Sequence, residues 1–410
     1  MSWDTVVFEK LYAIESRNGL TKPSRMRGTG FKMINMGELF SNDRIYDIPM
    51  ELVPLNDKEK VSAKVEKDDL LFARQSLVLE GAGKCSIVKE VSPLTVFESH
   101  IIRVRLNQEI AEPLFYYYYF RSPYSPVKTI VSQCAQAGIR ASDLQKLRVA
   151  FPNIETQRRI ASVLSAYDDL IENNQKQIKL LEEAAQRLYK EWFVDLHFPG
   201  WEETKIVDGL PEGWSYKPLS DLFSFVRGKS YTSKELSDTS GVLMVNLKNI
   251  RAFGGYKRNA EKRFTGKYKK EQSLNPGDLV MGVTDMTQER RLVGHSAIVP
   301  DLGEPMTLSM DLIKLVPTNI QKSYLYSTLY YGGFSLKISP LANGVNVLHL
   351  KPEAMMNLQM LVPTRELMDT YVKVFDPIQS RIELLQKQID VAAEARDRLL
   401  PKLMSGEIEV

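Results

Sequence analysis

The sequence predicts an α+β protein of two tandem-repeated mixed α/β domains, each followed by a long helix. The two helices are expected to pair as an antiparallel coiled coil around a pseudo-two-fold axis. One observation behind this prediction is an internal repeat, because a shift of 211 residues brings Leu11 onto Leu222. The tetrapeptide Gln-Lys-Gln-Ile also recurs unchanged, at residues 175–178 and 386–389. The second observation is that each repeat ends in heptad-spaced apolar residues, and a repeat of this length fixes the architecture before any local motif does.

The composition is that of an ordinary soluble protein. Hydrophobic residues make up 43% of the sequence and charged residues 26%. The length, 410 residues, is enough for two or three domains. The net charge is only +3, so a surface that binds a polyanion must be a local patch. Cys85 and Cys134 form no ligand motif and favour a reducing compartment. The sequence shows no signal peptide and no membrane-length apolar run, so we expect a cytoplasmic protein that does not contact a membrane.

Heptad spacing in both repeats predicts the helix pair. The residues predicted to form its seam are Leu164, Ile171, Ile178, Leu181, Leu188, Ile382, Leu385, Ile389 and Leu399. Pairing of the helices with each other is favoured because a period near 3.5 holds in both copies, which is typical of coiled coils. The alternative is that each helix packs only on its own domain. Asn174 and Arg396 would be polar residues within the seam that fix its register.

The start of the second helix carries its own signal. Asp376 is a good N-cap residue, and Pro377 would then occupy the first helical position. We therefore expect Pro377 to separate this helix from a shorter one that begins near Arg365.

The segments before the helices, residues 1–152 and 201–363, contain short apolar runs divided by glycine-rich turns, which indicates mixed strands and helices. Asp69 returns as Asp278, two residues out of step with the 211-residue shift, so a small insertion or deletion lies between the repeats. The aromatic run Phe115–Phe120 has two interpretations. It could stack on bases, but burial of a helix against the sheet is favoured.

The sequence lacks the common catalytic motifs. It has no Gly-x-x-x-x-Gly-Lys-Ser/Thr loop, no Gly-x-Gly-x-x-Gly turn, no Asn-Pro-Pro-aromatic tetrapeptide, no Gly-x-Ser-x-Gly elbow and no His-Glu-x-x-His helix. Its four histidines show no metal-site spacing. We therefore expect a non-catalytic chain without a metal centre.

Two stretches could neutralise phosphates. Ser16–Gly37 contains no acidic residue, and Tyr256–Lys270 contains a single one, Glu261, among many cations. The alternative is a solvated charged face. The segment of the first repeat that matches Tyr256–Lys270, residues 45–59, is acidic instead, so the repeats share an apolar frame but not their polar loops. Two similar frames with different loops would suit two different readers of DNA half-sites.

Residues that reach base edges should be Arg, Lys, Asn or Gln near turns. The candidates for DNA contact, to bases or phosphates, are Arg25, Arg27, Arg74, Gln75, Lys84, Arg140, Arg227, Lys229, Lys257, Arg258, Lys262, Arg263, Lys267, Lys269, Gln288, Arg290, Arg291, Asn343 and Asn346.

Four segments together resemble the specificity subunit of type I restriction-modification systems over essentially the whole chain. They are Phe-Pro-Asn-Ile-Glu-Thr-Gln-Arg-Arg-Ile at 151–160, Leu-Tyr-Lys-Glu-Trp-Phe at 188–193, Leu-Pro-Glu-Gly-Trp at 210–214 and Leu-Met-Ser-Gly-Glu-Ile at 403–408. The chain departs from the family pattern in two places. The first domain lacks the Leu-Pro-x-Gly-Trp opening, and the second helix lacks the Glu-Gln pair often seen after the proline.

The resemblance implies target-recognition domains at 1–152 and 201–363, with helical regions at 153–200 and 364–410. It implies that the chain is a non-catalytic subunit that binds double-stranded DNA and reads a bipartite site. The partners it implies are two methyltransferase subunits and motor-nuclease subunits. S-adenosylmethionine, ATP and Mg²⁺ would be bound in those partners. Two alternatives stay open: a coiled-coil scaffold for assembly, and the recognition module of a stand-alone DNA-modifying enzyme.

Overall fold

The computed structural model of the chain describes residues 3–133 and 137–410, and Cys134 lies outside them. The chain divides into two compact units. Unit 1 consists of residues 1–173 and 388–410, and unit 2 consists of residues 174–387. Within the described ranges, no helix is long and apolar enough to cross a membrane, and no cluster of His, Cys, Asp and Glu could hold a metal ion.

Unit 1 combines several small sheets with short helices. Its strands are β1 (Thr5–Val7), β2 (Tyr12–Asn18), β3 (Phe31–Ile34), β4 (Arg44–Ile45), β5 (Glu51–Val53), β6 (Leu70–Ala73), β7 (Gln75–Ser76), β8 (Cys85–Val88), β9 (Val96–Phe97), β10 (Ile101–Leu106), β11 (Ser132–Gln133), β12 (Ala137–Gly138) and β13 (Arg148–Ala150). Its helices are α1 (Met36–Ser41), α2 (Asp57–Ser62), α3 (Pro113–Arg121), α4 (Ala141–Gln145) and the first part of α5 (Ile154–Phe193). The main sheet has the order β2-β10-β6-β8-β4, and smaller sheets have the orders β5-β3-β9, β11-β12-β7 and β1-β13.

Unit 2 repeats most of this arrangement. Its strands are β14 (Ile206–Val207), β15 (Leu210–Pro211), β16 (Ser215–Pro218), β17 (Phe223–Arg227), β18 (Leu236–Ser237), β19 (Val242–Val245), β20 (Lys262–Phe264), β21 (Ser273–Leu274), β22 (Leu279–Gly282), β23 (Thr284–Asp285), β24 (Ser296–Ile298), β25 (Met306–Leu308), β26 (Leu312–Pro317), β27 (Leu348–His349) and β28 (Gln359–Val362). Its helices are α6 (Leu219–Leu222), α7 (Lys322–Tyr330), α8 (Ser335–Ile338) and the first part of α9 (Arg365–Ser405). The sheet orders are β17-β26-β22-β24, β18-β20-β19-β25-β21, β16-β28, β23-β27 and β14-β15.

Strand register shows where the repeat regains its 211-residue shift, which is two residues short at Asp69 and Asp278. In unit 1, Leu70 of β6 is paired with Ile87 of β8, whereas in unit 2, Leu279 of β22 is paired with Ile298 of β24. The hairpin that connects these two strands is therefore two residues longer in unit 2. The sheets on either side match, so the fold class predicted from the repeat is confirmed and the length difference falls in a loop.

Aromatic helices supply much of each core. In unit 1, every residue of the run Phe115–Phe120 is buried, and Tyr116 donates a hydrogen bond to the carbonyl oxygen of Ala150 at 3.0 Å. In unit 2, Tyr324 and Tyr326 of α7 are buried in the same way. The prediction that Phe115–Phe120 packs inside the protein is confirmed, and these rings are unavailable for stacking on bases.

The expected break before Pro377 is wrong. Helix α9 is continuous from Arg365 to Ser405 and passes through this proline. A proline inside a helix removes one hydrogen bond, at a cost of about 3 kcal/mol. Pro377 is exposed, as is Lys373 one turn earlier, so the carbonyl group that loses its donor can be hydrated. Tyr371 and Phe375 are buried on the opposite face, and their packing keeps the helix continuous through Pro377.

The long helices pack on each other within each unit, and in an antiparallel sense. In unit 1, Leu164 shares a core with Leu403, while Asp168, one turn further along α5, pairs with Arg396, two turns earlier in α9. In unit 2, the ring of Trp192 in α5 lies 5.8 Å from the ring of Tyr371 in α9. Among the seam residues, Leu164, Ile178, Leu385 and Ile389 are buried. Partial burial is found for Ile171, Leu181, Leu188, Ile382 and Leu399.

Candidate nucleic-acid interface

One hairpin in each unit presents a loop at an equivalent position. In unit 1 the loop between β6 and β8 leaves the sheet through β7, which pairs with β12. In unit 2 the loop between β22 and β24 leaves through β23, which pairs with β27. Both loops are closed in the same way: the Gly83 N–H donates to the Ala73 carbonyl, and the Gly294 N–H donates to the Gly282 carbonyl, each at 2.8 Å. We call residues 74–82 the first hairpin loop and residues 283–293 the second hairpin loop.

A buried carboxylate organises the second hairpin loop. Asp285 Oδ1 accepts hydrogen bonds from the N–H and the hydroxyl of Thr287, at 2.8 and 2.9 Å. Its Oδ2 accepts from the N–H groups of Leu292 and Val293, at 2.7 and 3.3 Å. Burial raises the pKa of Asp285, but the hydrogen bonds from Leu292 and Thr287 outweigh burial and hold the pKa below its ordinary value. The loop is therefore held in one conformation by a charged group at its base.

Polar side chains of the second hairpin loop meet a neighbouring turn. Gln288 donates through Nε2 to the carbonyl of Val345 at 2.8 Å, and Arg291 forms an ion pair with Glu289. Arg290 adopts a left-handed φ of 53°, and its Nε is buried without a partner among the described residues.

In the neighbouring turn, Asn343 donates to the Leu341 carbonyl at 3.0 Å, and Asn346 is exposed. The structure thus brings these candidates together at one end of unit 2.

The first hairpin loop brings fewer candidates together. Arg74 donates through an Nη to the carbonyl of Ser99 at 3.3 Å, and Gln75 faces Gly138 in the β7–β12 ladder. Arg140 is exposed directly after that ladder. The Ser76 hydroxyl, at the position equivalent to Asp285, accepts from the Val78 N–H at 3.2 Å. This loop is therefore held with fewer bonds.

Other candidates in unit 1 are largely engaged in structure. Lys84 donates to the Phe40 carbonyl at 2.7 Å and pairs with Asp43 at 3.0 Å. Arg27 pairs with Glu51 at 2.7 Å, whereas Arg25 is exposed. Only Arg25 of these three leaves its charge free for a phosphate.

The cations of unit 2 divide into paired and unpaired groups. Arg263 forms a two-bond pair with Glu304 at 2.8 and 2.9 Å, and Arg258 pairs with Glu383 on α9. Arg227 donates to both oxygens of Glu353, and Lys269 lies 3.5 Å from Glu271.

The remaining cations are more available. Lys262 donates to the Tyr231 hydroxyl at 2.6 Å, and Lys229 is half-buried. Lys257 and Lys267 are exposed, and no acidic side chain in the described ranges pairs with them. Sequence reasoning missed Lys248 and Arg251, which line one open groove together with Lys257 and Lys262. Each of these two residues stands alone between uncharged neighbours in the sequence, so only the fold shows that they converge on this groove.

The apolar residues at the tips of the two hairpin loops could not be recognised from sequence as candidates for DNA contact. Leu77 is 89% exposed in the first hairpin loop, and Met286 is 78% exposed in the second. A search for residues that bind DNA selects polar types, and an apolar residue near a turn is normally read as part of a strand.

Comparison with known proteins gives a consistent result. Residues 6–183 match the family described as the type I restriction modification DNA specificity domain. The chain is similar to the MjaIX specificity subunit of Methanocaldococcus jannaschii, a type I restriction enzyme subunit, with 27% identity over 78% of this chain and 74% of the relative. It is also similar to the HindI specificity subunit of Haemophilus influenzae, with 21% identity over 92% and 94% of the two chains.

A solved structure shares the fold. The crystal structure of the type I restriction-modification S subunit from M. genitalium superimposes with a TM-score of 0.65 at 15% identity, over 98% of this chain and 96% of that one.

Proposed function

Since the chain belongs to the family of type I restriction-modification specificity subunits, we propose that it reads a bipartite DNA site, one half-site with each unit. In this proposal the chain is the non-catalytic recognition subunit of a complex that methylates or cleaves DNA. The first hairpin loop contacts the bases of one half-site, and the second hairpin loop contacts those of the other.

One observation carries the proposal: equivalent hairpins leave matching sheets but differ in length and chemistry. The strands β6, β8 and β10 correspond to β22, β24 and β26 in order and pairing. The loops on them share neither their basic residues nor their length. A constant frame with variable loops separates folding from specificity, since base readout needs different side chains for different sequences.

The outer faces of the helices support docking of two copies of one partner. Leu180 of α5 and Val391 of α9 are equivalent, because each lies two residues after the repeated Gln-Lys-Gln-Ile segment. They are 64% and 63% exposed, whereas the isoleucines two residues earlier are buried. Apolar residues exposed equally at two repeated sites suit two identical partners. We assign these positions to two methyltransferase subunits, which motor-nuclease subunits then join.

The remaining chemistry belongs to the partners in this proposal. S-adenosylmethionine, ATP and Mg²⁺ would be bound by the methyltransferase and motor-nuclease subunits, and this chain would contribute recognition alone. Because the proposed substrate is the DNA of the cell, we place the chain in the cytoplasm.

Exchange of one recognition block tests the proposal. Residues 1–150 would be replaced by the corresponding block of another specificity subunit, and methylated bases would be mapped in cells that carry the complex. The hydrogen bonds from Arg44 and Tyr46 to Asp169 and Glu172 on α5, both 2.6 Å, should be preserved in the hybrid. We expect one half-site to change and the other to persist.

The matched control exchanges residues 201–363 instead and should change the other half-site. A hybrid that alters both half-sites, or neither, contradicts independent reading. Salt-dependent binding of DNA by the chain with its methyltransferase partner separates the proposal from a scaffold for protein assembly, which would bind no DNA. Methylation by the purified chain alone would identify a stand-alone enzyme instead.

A further inference from the structure

The tips of both hairpin loops are apolar and fully presented. Leu77 and Met286 each follow directly after the short strand, β7 or β23, that carries its loop away from the sheet. Their exposed fractions, 89% and 78%, are among the highest of any large apolar side chain in the described ranges. The repeat therefore places an apolar side chain at the same point of two loops.

Neighbouring residues extend each tip into a patch. In the first hairpin loop, Val78 and Leu79 are 59% and 47% exposed. In unit 2, Val345 is 88% exposed, and its carbonyl oxygen is held by Gln288 of the second hairpin loop. Contiguous exposed apolar side chains usually mark a contact surface.

The loops are built to hold these side chains outward. Gly83 and Gly294, with φ of 77° and 79°, close the two loops. A Cβ on Gly83 would lie 2.1 Å from the side chain of Val127, so the closure leaves no room for a larger residue. Asp285 adds its hydrogen bonds at the base of the second hairpin loop. Each loop is therefore fixed at its base, with the apolar side chain at its tip exposed.

We propose that Leu77 and Met286 make the apolar contact of each unit with the base stack of double-stranded DNA. This inference rests on the proposed function. Apolar side chains contact DNA in two ways: against the thymine methyl group in the major groove, or as a wedge between base steps. The surroundings fit this partner, because Arg74 and Arg140 lie near one tip, and Asn346 lies in the turn that Gln288 contacts beside the other.

DNA fits these tips better than a protein subunit does. Two copies of one methyltransferase would meet the same chemistry at equivalent points, as they would at Leu180 and Val391. The hairpin loops instead differ by two residues in length and carry Leu-Val-Leu in one unit and Met with polar neighbours in the other. Such a difference suits two unlike half-sites.

The test uses the full chain in complex with its methyltransferase subunits. Leu77→Ser and Met286→Ser would be compared with the wild type for binding to the cognate duplex over a range of salt concentrations. We expect each variant to bind about tenfold more weakly. The slope of affinity against salt should not change, because an apolar contact releases no counterions. Each variant should also lose discrimination only within its own half-site.

Matched controls are Val61→Ser in unit 1 and Ile206→Ser in unit 2. They remove apolar side chains that lie outside the hairpin loops and are 81% and 63% exposed. Both should bind as the wild type does, and melting curves would check that all variants fold. Two further duplexes identify the contact. Uracil in place of thymine should weaken the wild type but not the variant if the methyl group is read. A 2-aminopurine base should brighten on binding of the wild type alone if the tip enters the stack.

Wild-type affinity in both tip variants would overturn the inference and leave the proposed function intact. Loss of the methyltransferase subunits from the complex, with DNA affinity unchanged per complex, would identify the tips as protein contacts and also overturn it. A wild-type complex that binds no DNA would overturn the proposed function itself.

Discussion

The two units build the same frame but stabilise it differently. In unit 1 the helix pair contains an ion pair between the buried Asp168 and the half-buried Arg396, and Tyr118 donates a further hydrogen bond to Asp168 at 2.6 Å. In unit 2, the equivalent positions are Gln379 and Ala185, which cannot form an ion pair, and the helices pack instead through aromatic rings around Tyr371. The hairpin loops also differ in the polar residue at their base, which is Asp285 in unit 2 and Ser76 in unit 1. Repetition thus preserves strand pairing and helix periodicity, while the polar chemistry at each point is free to diverge.

The largest expected effect comes from making unit 1 resemble unit 2 at the helix pair. Arg396→Ala leaves Asp168 buried without its partner and should destabilise the pair by about 3 kcal/mol. Hydrogen exchange of residues 154–173 would measure this. Adding Asp168→Gln should restore much of the lost protection, since it removes the uncompensated charge. Additive losses in the double variant would show that the ion pair is not the source.

The two long helices offer the next comparison. Pro377 lies inside α9, and the equivalent residue of α5 is Ala166. Ala166→Pro should destabilise unit 1 by about 3 kcal/mol or more, because nothing has adapted α5 to the lost hydrogen bond. Pro377→Ala should raise the stability of unit 2, by less than that amount. Unfolding in denaturant, monitored by hydrogen exchange, would measure the stability of both units. If Ala166→Pro stabilised unit 1, the explanation that hydration and burial around Pro377 offset its lost hydrogen bond would be wrong.

The bases of the hairpin loops should respond differently to substitution. Asp285→Ala removes an acceptor for backbone N–H groups and should increase opening of the second hairpin loop by about 2 kcal/mol. Ser76→Ala removes a single longer bond and should change the first hairpin loop by about 0.5 to 1 kcal/mol. Exchange rates of loop amides measure both, and Asp285→Asn, which keeps the shape, is the control.

The same carboxylate predicts a pH dependence in unit 2 alone. The folded pKa of Asp285 is depressed, so its contribution is fully present above its ordinary pKa of about 3.9 and is lost as pH falls through the folded pKa. Exchange in the second hairpin loop should therefore accelerate at low pH, after correction for intrinsic rates. Equal acceleration in the first hairpin loop would show a global effect rather than titration of Asp285.

The smallest effect concerns the paired and unpaired cations of unit 2. Lys267→Ala should reduce the salt slope of DNA binding by about 0.9, because an unpaired lysine that meets a phosphate releases a counterion. Arg263→Ala should leave the slope nearly unchanged, because Glu304 already neutralises that guanidinium. Equal slopes for the two variants would assign Lys267 to a solvated surface.

Periodic features could be predicted from sequence, and contacts between distant residues could not. Burial of Leu164 and Leu385 follows from heptad spacing, which is a property of the helix itself. The engagement of Arg258 depends on Glu383, 125 residues away, and that of Arg263 on Glu304, 41 residues away. Pro377 was misjudged for the same reason, since local propensity favours a helix start and burial of Tyr371 and Phe375 overrides it.

Unit 1 is assembled from two stretches of sequence that the ribosome makes at different times. Its last segment, residues 388–410, supplies Leu403 and Met404 to the core and accepts a hydrogen bond from Trp3 to the Met404 carbonyl at 2.8 Å. Synthesis at about 5–20 residues per second puts tens of seconds between the two stretches. Unit 2 is complete in sequence before unit 1 is. During translation, Ile160 and Leu164 of unit 1 therefore stay without their contacts to residues 388–410 until the end of synthesis. A premature stop near residue 387 would then destabilise unit 1, which is made first, more than unit 2.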